Sequence, residues 1–242
     1  MIDDVDERVA ARPWHLRCLL VVVTSLVVLV ACGGDDDGAG RDGASTSRPA
    51  GDGDNDGKVT SGTLELAPSS TTTTTPEDRA MSELLLDEPP LPGFARADDV
   101  LGAGPLDLDA AAAAEADVPA ERALLETRGF ERGASRAWLD QGQDVAYLAL
   151  YEFADADGAA AYLADGAMTL EARGAAAFEV PGIEGALGFT TVEESPEGTF
   201  TAHAVAFTRG ARWVLALVGS PGSGRSPDDA RALAAEQVAR LS

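Results

Sequence analysis

The stretch Gly219-Ser220-Pro221-Gly222-Ser223-Gly224-Arg225-Ser226 has glycines, a terminal cation and a hydroxyl at the spacing of a phosphate-cradling loop between a strand and a helix. Arg225 stands where that chemistry needs the compact ammonium of a lysine, and a guanidinium fork is not equivalent there. The stretch therefore reads as a strand-to-helix connection. His203 is the one histidine beyond residue 15. It falls mid-strand with Thr201 and Val205 on its face, the pattern of a packed histidine more than of a base or ligand. Three carboxylate groups have short spacing: Asp107 with Asp109, Asp155 with Asp157, and Glu193 and Glu194 with Glu197. The first two pairs precede helical patterns and are helix caps, and the third lies at a hairpin tip where charges are solvated. Asp52-x-Asp54-x-Asp56-Gly57 matches the first half of a calcium loop, but the twelfth position, which needs a bidentate Glu, is Thr63. The sequence thus predicts no catalytic residues, no cofactor and no metal site.

Composition narrows the classes further. The chain has 242 residues, 18 Lys plus Arg against 41 Asp plus Glu, and a formal net charge of -23. Such a surface repels phosphate backbones, so no nucleic-acid partner is expected. The acidic residues are not confined to one end, and the region after residue 80 is acidic in its own right.

Residues 19–31, Leu-Leu-Val-Val-Val-Thr-Ser-Leu-Val-Val-Leu-Val-Ala, form an apolar run too short to span a bilayer but suited to an export signal. Arg12, His15 and Arg17 supply the basic flank in front of it. The run closes in Leu29-Val30-Ala31-Cys32-Gly33, which resembles the lipobox of bacterial lipoproteins. That resemblance implies cleavage between Ala31 and Cys32 and a diacylglycerol, with palmitate-type chains, on the Cys32 sulfur. Two acyl chains suffice for stable membrane residence. The other cysteine, Cys18, would leave with the signal, so no disulfide is expected. The expected location is the extracytoplasmic face of the cell membrane, lipid-anchored. Lys58 is the only lysine among many Arg, Ala, Gly and Asp, a composition of high-GC, actinobacterial type.

Three segments follow: a signal peptide over 1–31, a tether over 32–80, and one α+β domain over 81–242. The tether is rich in Gly, Asp, Ser and Thr and cannot bury enough apolar area to offset the entropy of ordering it. A coil of that length reaches about 35–40 Å. Thr71 to Thr75 ahead of Pro76 is compatible with O-linked sugars or a bare spacer.

Within the domain, short helices are expected over Glu77–Leu86, from Asp107 or Asp109 to about Ala116, and from Pro119 to Gly129. Strands are expected over Ser135–Asp140, Asp144–Phe153, Phe178–Val180, Leu187–Glu193, Thr199–Thr208 and Arg212–Val218. Val145, Tyr147, Ala149, Tyr151 and Phe153 alternate with Ala146, Leu148 and Leu150, so that strand is apolar on both faces and central. One helix starts at Asp155 or Asp157 and runs to Asp165, and Ser226-Pro227-Asp228-Asp229 opens the last one. The expected fold is a mainly antiparallel sheet of five to six strands with packed helices, and its order allows a duplicated ββα unit.

Leu91-Pro92-Gly93-Phe94, Gly129-Phe130, Trp138, Tyr151-Glu152-Phe153 with Ala160 and Tyr162, Val180-Pro181-Gly182, and Gln237 to Leu241 carry a second resemblance. They are similar in pattern to extracytoplasmic domains of actinobacterial lipoproteins, to the sensor domains of membrane kinases and to Mog1/PsbP-like sandwiches. The kinase sensors have paired cysteines that this chain lacks. The resemblance implies binding of a small or lipid-like ligand, or of an envelope protein, outside the membrane. The expected function is therefore non-catalytic binding by an anchored lipoprotein. Its alternative is an accessory subunit docked on another envelope protein, and the third class is a carboxylate-dependent hydrolase. Trp138, Tyr147, Tyr151, Phe189, Phe207 and Trp213 are expected in the core, with some lining any cleft.

Overall fold

The computed structural model describes residues 76–242 except Glu197. The signal segment, Ala31 and Cys32, the calcium-loop-like run and the threonine run lie outside the described residues.

Alternation along β4 (Val145–Phe153) organises the molecule. Val145, Tyr147, Ala149, Tyr151 and Phe153 point into one apolar cluster, whereas Ala146, Leu148 and Leu150 point into another on the opposite face. A strand buried on both faces must lie inside its sheet. β4 pairs antiparallel with β3 (Phe130–Leu139) on one side and with β8 (Arg212–Pro221) on the other. β7 (Gly198–Arg209), β6 (Leu187–Ser195) and the short β5 (Ala176–Phe178) continue the sheet in that order. The outer edge of β3 is covered by two two-residue strands, β1 (Ala95–Arg96) and β2 (Pro105–Leu106). The architecture is α+β, with eight strands where five to six were expected. The two added strands are too short to leave an alternation in the sequence.

Helices cover both faces. On the first lie α3 (Leu108–Ala112), α4 (Val118–Arg128) and α5 (Ala156–Ala172), whose Leu125, Ala159, Tyr162 and Leu170 join the cluster with Trp213, Leu215 and Phe189. On the second lie α1 (Pro76–Glu83) and α6 (Pro227–Arg240), with Met81, Leu85, Leu233 and Ala234 against Trp138, Leu148, Phe207 and Val214. A short α2 (Asp98–Leu101) follows β1. The order hairpin-then-helix does recur, as β3-β4-α5 and β7-β8-α6. Because β4 and β8 are antiparallel neighbours while α5 and α6 sit on opposite faces, no rotation superposes the two units. The recurrence is one of order along the chain, not of three-dimensional symmetry.

Local chemistry sets the element ends. The Asp107, Asp117 and Asp155 carboxylates accept from Ala110, Ala120 and Gly158 backbone N–H groups at 2.8, 3.1 and 2.8 Å, capping α3, α4 and α5. Gly129 ends α4 in the left-handed region, φ 76°, which a side chain would disfavour. The Asp229 carboxylate accepts from the Ser226 backbone N–H at 3.0 Å at the start of α6. α5 continues past the expected Asp165 to Ala172. Gly166 reads as a stop, but Leu170 on the buried stripe holds the helix to the sheet.

Candidate functional site

Arg225 and His203, the two lures of the sequence, belong to one half-buried network. The His203 ring sits between Thr190 and the loop before α6: Nδ1 is 2.9 Å from Thr190 Oγ1, and Nε2 is 3.1 Å from the Arg225 carbonyl oxygen. The carbonyl can only accept, so Nε2 carries a proton, and Thr190 can donate to Nδ1. His203 is buried, with the Phe178 ring edge-on at 6.5 Å. Both ring nitrogens are thus engaged, Nε2 in positioning the loop before α6 and Nδ1 with Thr190 of β6.

The Arg225 side chain spans the other way. Its Nε donates to Asp144 Oδ2 at 2.6 Å and its Nη2 to Asp140 Oδ2 at 2.8 Å, and its guanidinium lies 4.7 Å from the centre of the Phe94 ring. Asp140 and Asp144 are the two ends of the β3–β4 loop, where the Asp140 carboxylate also accepts from the Asp144 backbone N–H at 2.9 Å. Burial works against the Arg225 charge, but the two carboxylates more than offset it and hold the guanidinium above its ordinary pKa. The glycine-rich stretch is therefore a strap tied to a hairpin loop. Its Ser220 hydroxyl accepts from the Arg225 backbone N–H at 3.2 Å.

The carboxylate pairs separate in the same manner. Asp107 and Asp155 are the caps described above. Asp109 pairs with Arg122, and Asp157 lies in the first turn of α5. Glu193 and Glu194 sit on the end of β6, and Glu197 lies outside the described residues. Among the described residues no group of three His, Cys, Asp or Glu side chains is placed to hold a metal ion. The six aromatic residues expected in the core are all buried, Trp138 and Phe207 on the second face and Tyr147, Tyr151, Phe189 and Trp213 on the first.

Sequence reasoning missed the most unusual carboxyl group. Glu121, in the first turn of α4, is 1% exposed. Tyr162 of α5 donates its hydroxyl to Glu121 Oε1 at 2.8 Å, and Oε2 has no hydrogen-bond partner. Burial pushes the carboxyl up to about 7; the Tyr162 hydrogen bond opposes this, and the Asp165 charge adds to it. Tyr162 packs among Trp213 (ring centres 5.1 Å), Phe153 (5.3 Å) and Tyr151 (5.9 Å). Burial raises the Tyr162, Tyr151 and Tyr147 hydroxyls too. An acid in the first turn of a helix reads as a solvated residue favoured by the helix dipole. Only the packing of α4 on α5 turns it inward.

Arg136 of β3 was also not foreseen. It is 5% exposed and crosses to α1, donating through Nη1 to Leu85 O (3.2 Å), to Leu86 O and to Asp87 Oδ1 (2.9 Å), and through Nη2 to Ser82 O (3.0 Å). It satisfies the carbonyls at and just beyond the end of α1. Gln237 of α6 completes this junction: its Nε2 donates to Leu84 O at 2.8 Å, and its Oε1 accepts from Leu86 N at 3.1 Å.

Open grooves lie at two places, among others, on the described residues. One, of about 550 Å³, lies in the curl of Asp87-Glu88-Pro89-Pro90-Leu91-Pro92 through Arg96 against Trp138. The other, of about 470 Å³, lies at the β5–β6 loop and is lined by Phe178, Val180, Pro181, Leu187 and Phe189 together with Glu171 and Glu179. A Cβ on Gly188 would lie 2.4 Å from the Phe178 ring, so on the face opposite Ala177 and Phe189 the aromatic ring rests directly on the bare strand, and Arg231 covers it at 4.9 Å.

No family model matches the chain, and no curated protein matches it. A solved structure does. The extracellular domain of PknH from Mycobacterium tuberculosis is similar at TM-score 0.47 and 13% identity, over 68% of this chain and 95% of that one. Among the described residues no helix is long and apolar enough to cross a membrane.

Proposed function

We propose that this protein is a lipoprotein held by acylated Cys32 on the extracytoplasmic face of the cell membrane, and that its α+β domain binds a small, apolar or lipid-like ligand. The observation that carries the binding reading is the groove at the β5–β6 loop. Its walls are largely aromatic and aliphatic, and its volume of about 470 Å³ suits a ligand of modest size. A pre-formed apolar wall gains affinity because little must be ordered on binding. The raised carboxyl of Glu121 does not support the hydrolase alternative, since at 1% exposure it meets no substrate. The anchor rests on the apolar run and the Leu29-Val30-Ala31-Cys32-Gly33 sequence.

Two measurements test this. In a host with lipoprotein export, the wild-type chain should incorporate a clickable palmitate analogue and sediment with membranes, and Cys32→Ala should do neither. Palmitate-free wild type would overturn the anchor. Native mass spectrometry of the chain released from the envelope should show an added mass that disappears on denaturation. An apo mass throughout would favour docking on another envelope protein.

A further inference from the structure

Among the described residues, Glu121 is a buried acid without a counter-cation. The guanidiniums of its own helix are committed elsewhere: Arg122 to Asp109 and Glu126, and Arg128 to Asp165 at 2.7 Å. The groups around it offer hydroxyls or more negative charge. From α5 come Tyr162 and Asp165 and from β4 Tyr151, and the buried Glu115 of the α3–α4 connection adds its charge to the same two tyrosines. One carboxyl oxygen has the Tyr162 hydroxyl at 2.8 Å and the other has no partner. This setting suits a neutral carboxyl and penalises a carboxylate strongly.

We propose that the buried Glu121 carboxyl is a proton-operated latch, its midpoint set by the Tyr162 hydrogen bond, that closes the α3–α4 segment on the sheet when the surroundings are mildly acidic and releases the first turn of α4 when they are alkaline. The geometry gives the direction of movement. Glu121 lies near the N-terminus of α4, where an anion that turns outward meets water and the positive end of the helix. The far end of α4 stays fixed by Leu125, which is 0% exposed, and by the αL turn at Gly129. α3 is carried along because Asp109 on it pairs with Arg122 on α4. Release would uncover the Tyr162–Trp213–Tyr151 aromatic cluster. The latch does not depend on what occupies the groove at the other end of the sheet.

Hydrogen exchange on the full chain in detergent micelles tests the latch. With the carboxyl moving from 4.5 unfolded to about 7 folded, opening of residues 118–128 should increase about 30-fold from pH 5.5 to pH 8, beyond the intrinsic pH dependence of exchange. Glu121→Gln should remove that increase. Tyr162→Phe removes a hydrogen bond that favours the carboxylate, so it should keep the increase and shift its midpoint to higher pH. Protection in wild type that is independent of pH would overturn the latch. An undiminished pH response in Glu121→Gln, or a midpoint in Tyr162→Phe that does not move, would do the same.

Discussion

Arg225 Nε donates to Asp144 Oδ2 at 2.6 Å from 81 residues further along the chain. The contact ties the strap between β8 and α6 to the loop between β3 and β4, and it passes outside the sheet ladder. Both side chains are 17% exposed, so water screens the pair only partly. The residue that in sequence stands in place of a phosphate-binding lysine is thus a clamp between two hairpin ends, and the backbone carbonyl of the same residue holds His203.

Removing one partner of such a pair leaves the other carboxylates desolvated without their cation. Arg225→Ala should therefore lower stability by about 2–3 kcal/mol. Arg225→Lys should recover only part of the loss, because one ammonium cannot reproduce the fork that reaches Asp140 and Asp144 together. Urea denaturation of the three proteins at constant pH checks this, and a loss under about 0.5 kcal/mol would contradict the clamp.

The pH dependence of stability should carry two opposed limbs. Glu121 has a folded pKa raised from 4.5 to about 7, so its favourable contribution is complete below 4.5 and is lost as pH rises through 7. Between pH 5 and pH 8 the loss is about 2–3 kcal/mol. Glu152 runs the other way. Burial alone would raise it, but Arg132 at 2.6 Å and Arg212 at 3.1 Å more than offset this and hold it below its ordinary value. Its contribution is present above the unfolded 4.5 and fades as pH falls further. Urea midpoints across pH 3–9 should peak in the mildly acidic range, and Glu121→Gln should flatten only the alkaline limb.

Two glycines of α5 should respond to alanine with opposite signs. A Cβ on Gly158 would lie 2.2 Å from the Arg128 carbonyl oxygen, a backbone atom where α5 crosses the end of α4. Gly158→Ala must push the helices apart and should cost about 2–4 kcal/mol. A methyl group on Gly166 would meet nothing within 4 Å, and the residue lies mid-helix, so Gly166→Ala should stabilise by about 0.5–1 kcal/mol. Thermal melts of both variants decide the matter, and a common sign would show that α5 is not packed as described.

How much of this was legible in the sequence follows from where the information lies. β4 was readable because its burial on both faces is written into nine consecutive residues, and Asp155 and Ser226 were readable because capping is a local bond. The start of β3 at Phe130, five residues before the expected Ser135, was hidden by Glu131, Arg132 and Gly133, which look like a loop. There Arg132 is satisfied by Glu152 on the neighbouring strand, and the Tyr151 ring and the Leu150 carbonyl come within 3.0 Å of the Cβ position of Gly133. β1, β2 and the inward turn of Glu121 depend on partners 27 to 44 residues away, and no period in the sequence records them. Arg225 was noticed for the wrong chemistry, since its carboxylate partners lie on a different hairpin.

The proposed ligand site is the groove at the β5–β6 loop. Ala177 lines that groove and is exposed, so Ala177→Trp fills it without removing a core side chain. Native mass spectrometry of both chains, released from the same envelope preparation, is the most direct test. Wild type should show an added mass that denaturation removes, and Ala177→Trp should show none at unchanged melting temperature. The same added mass on both chains, or on neither, would contradict the proposed site.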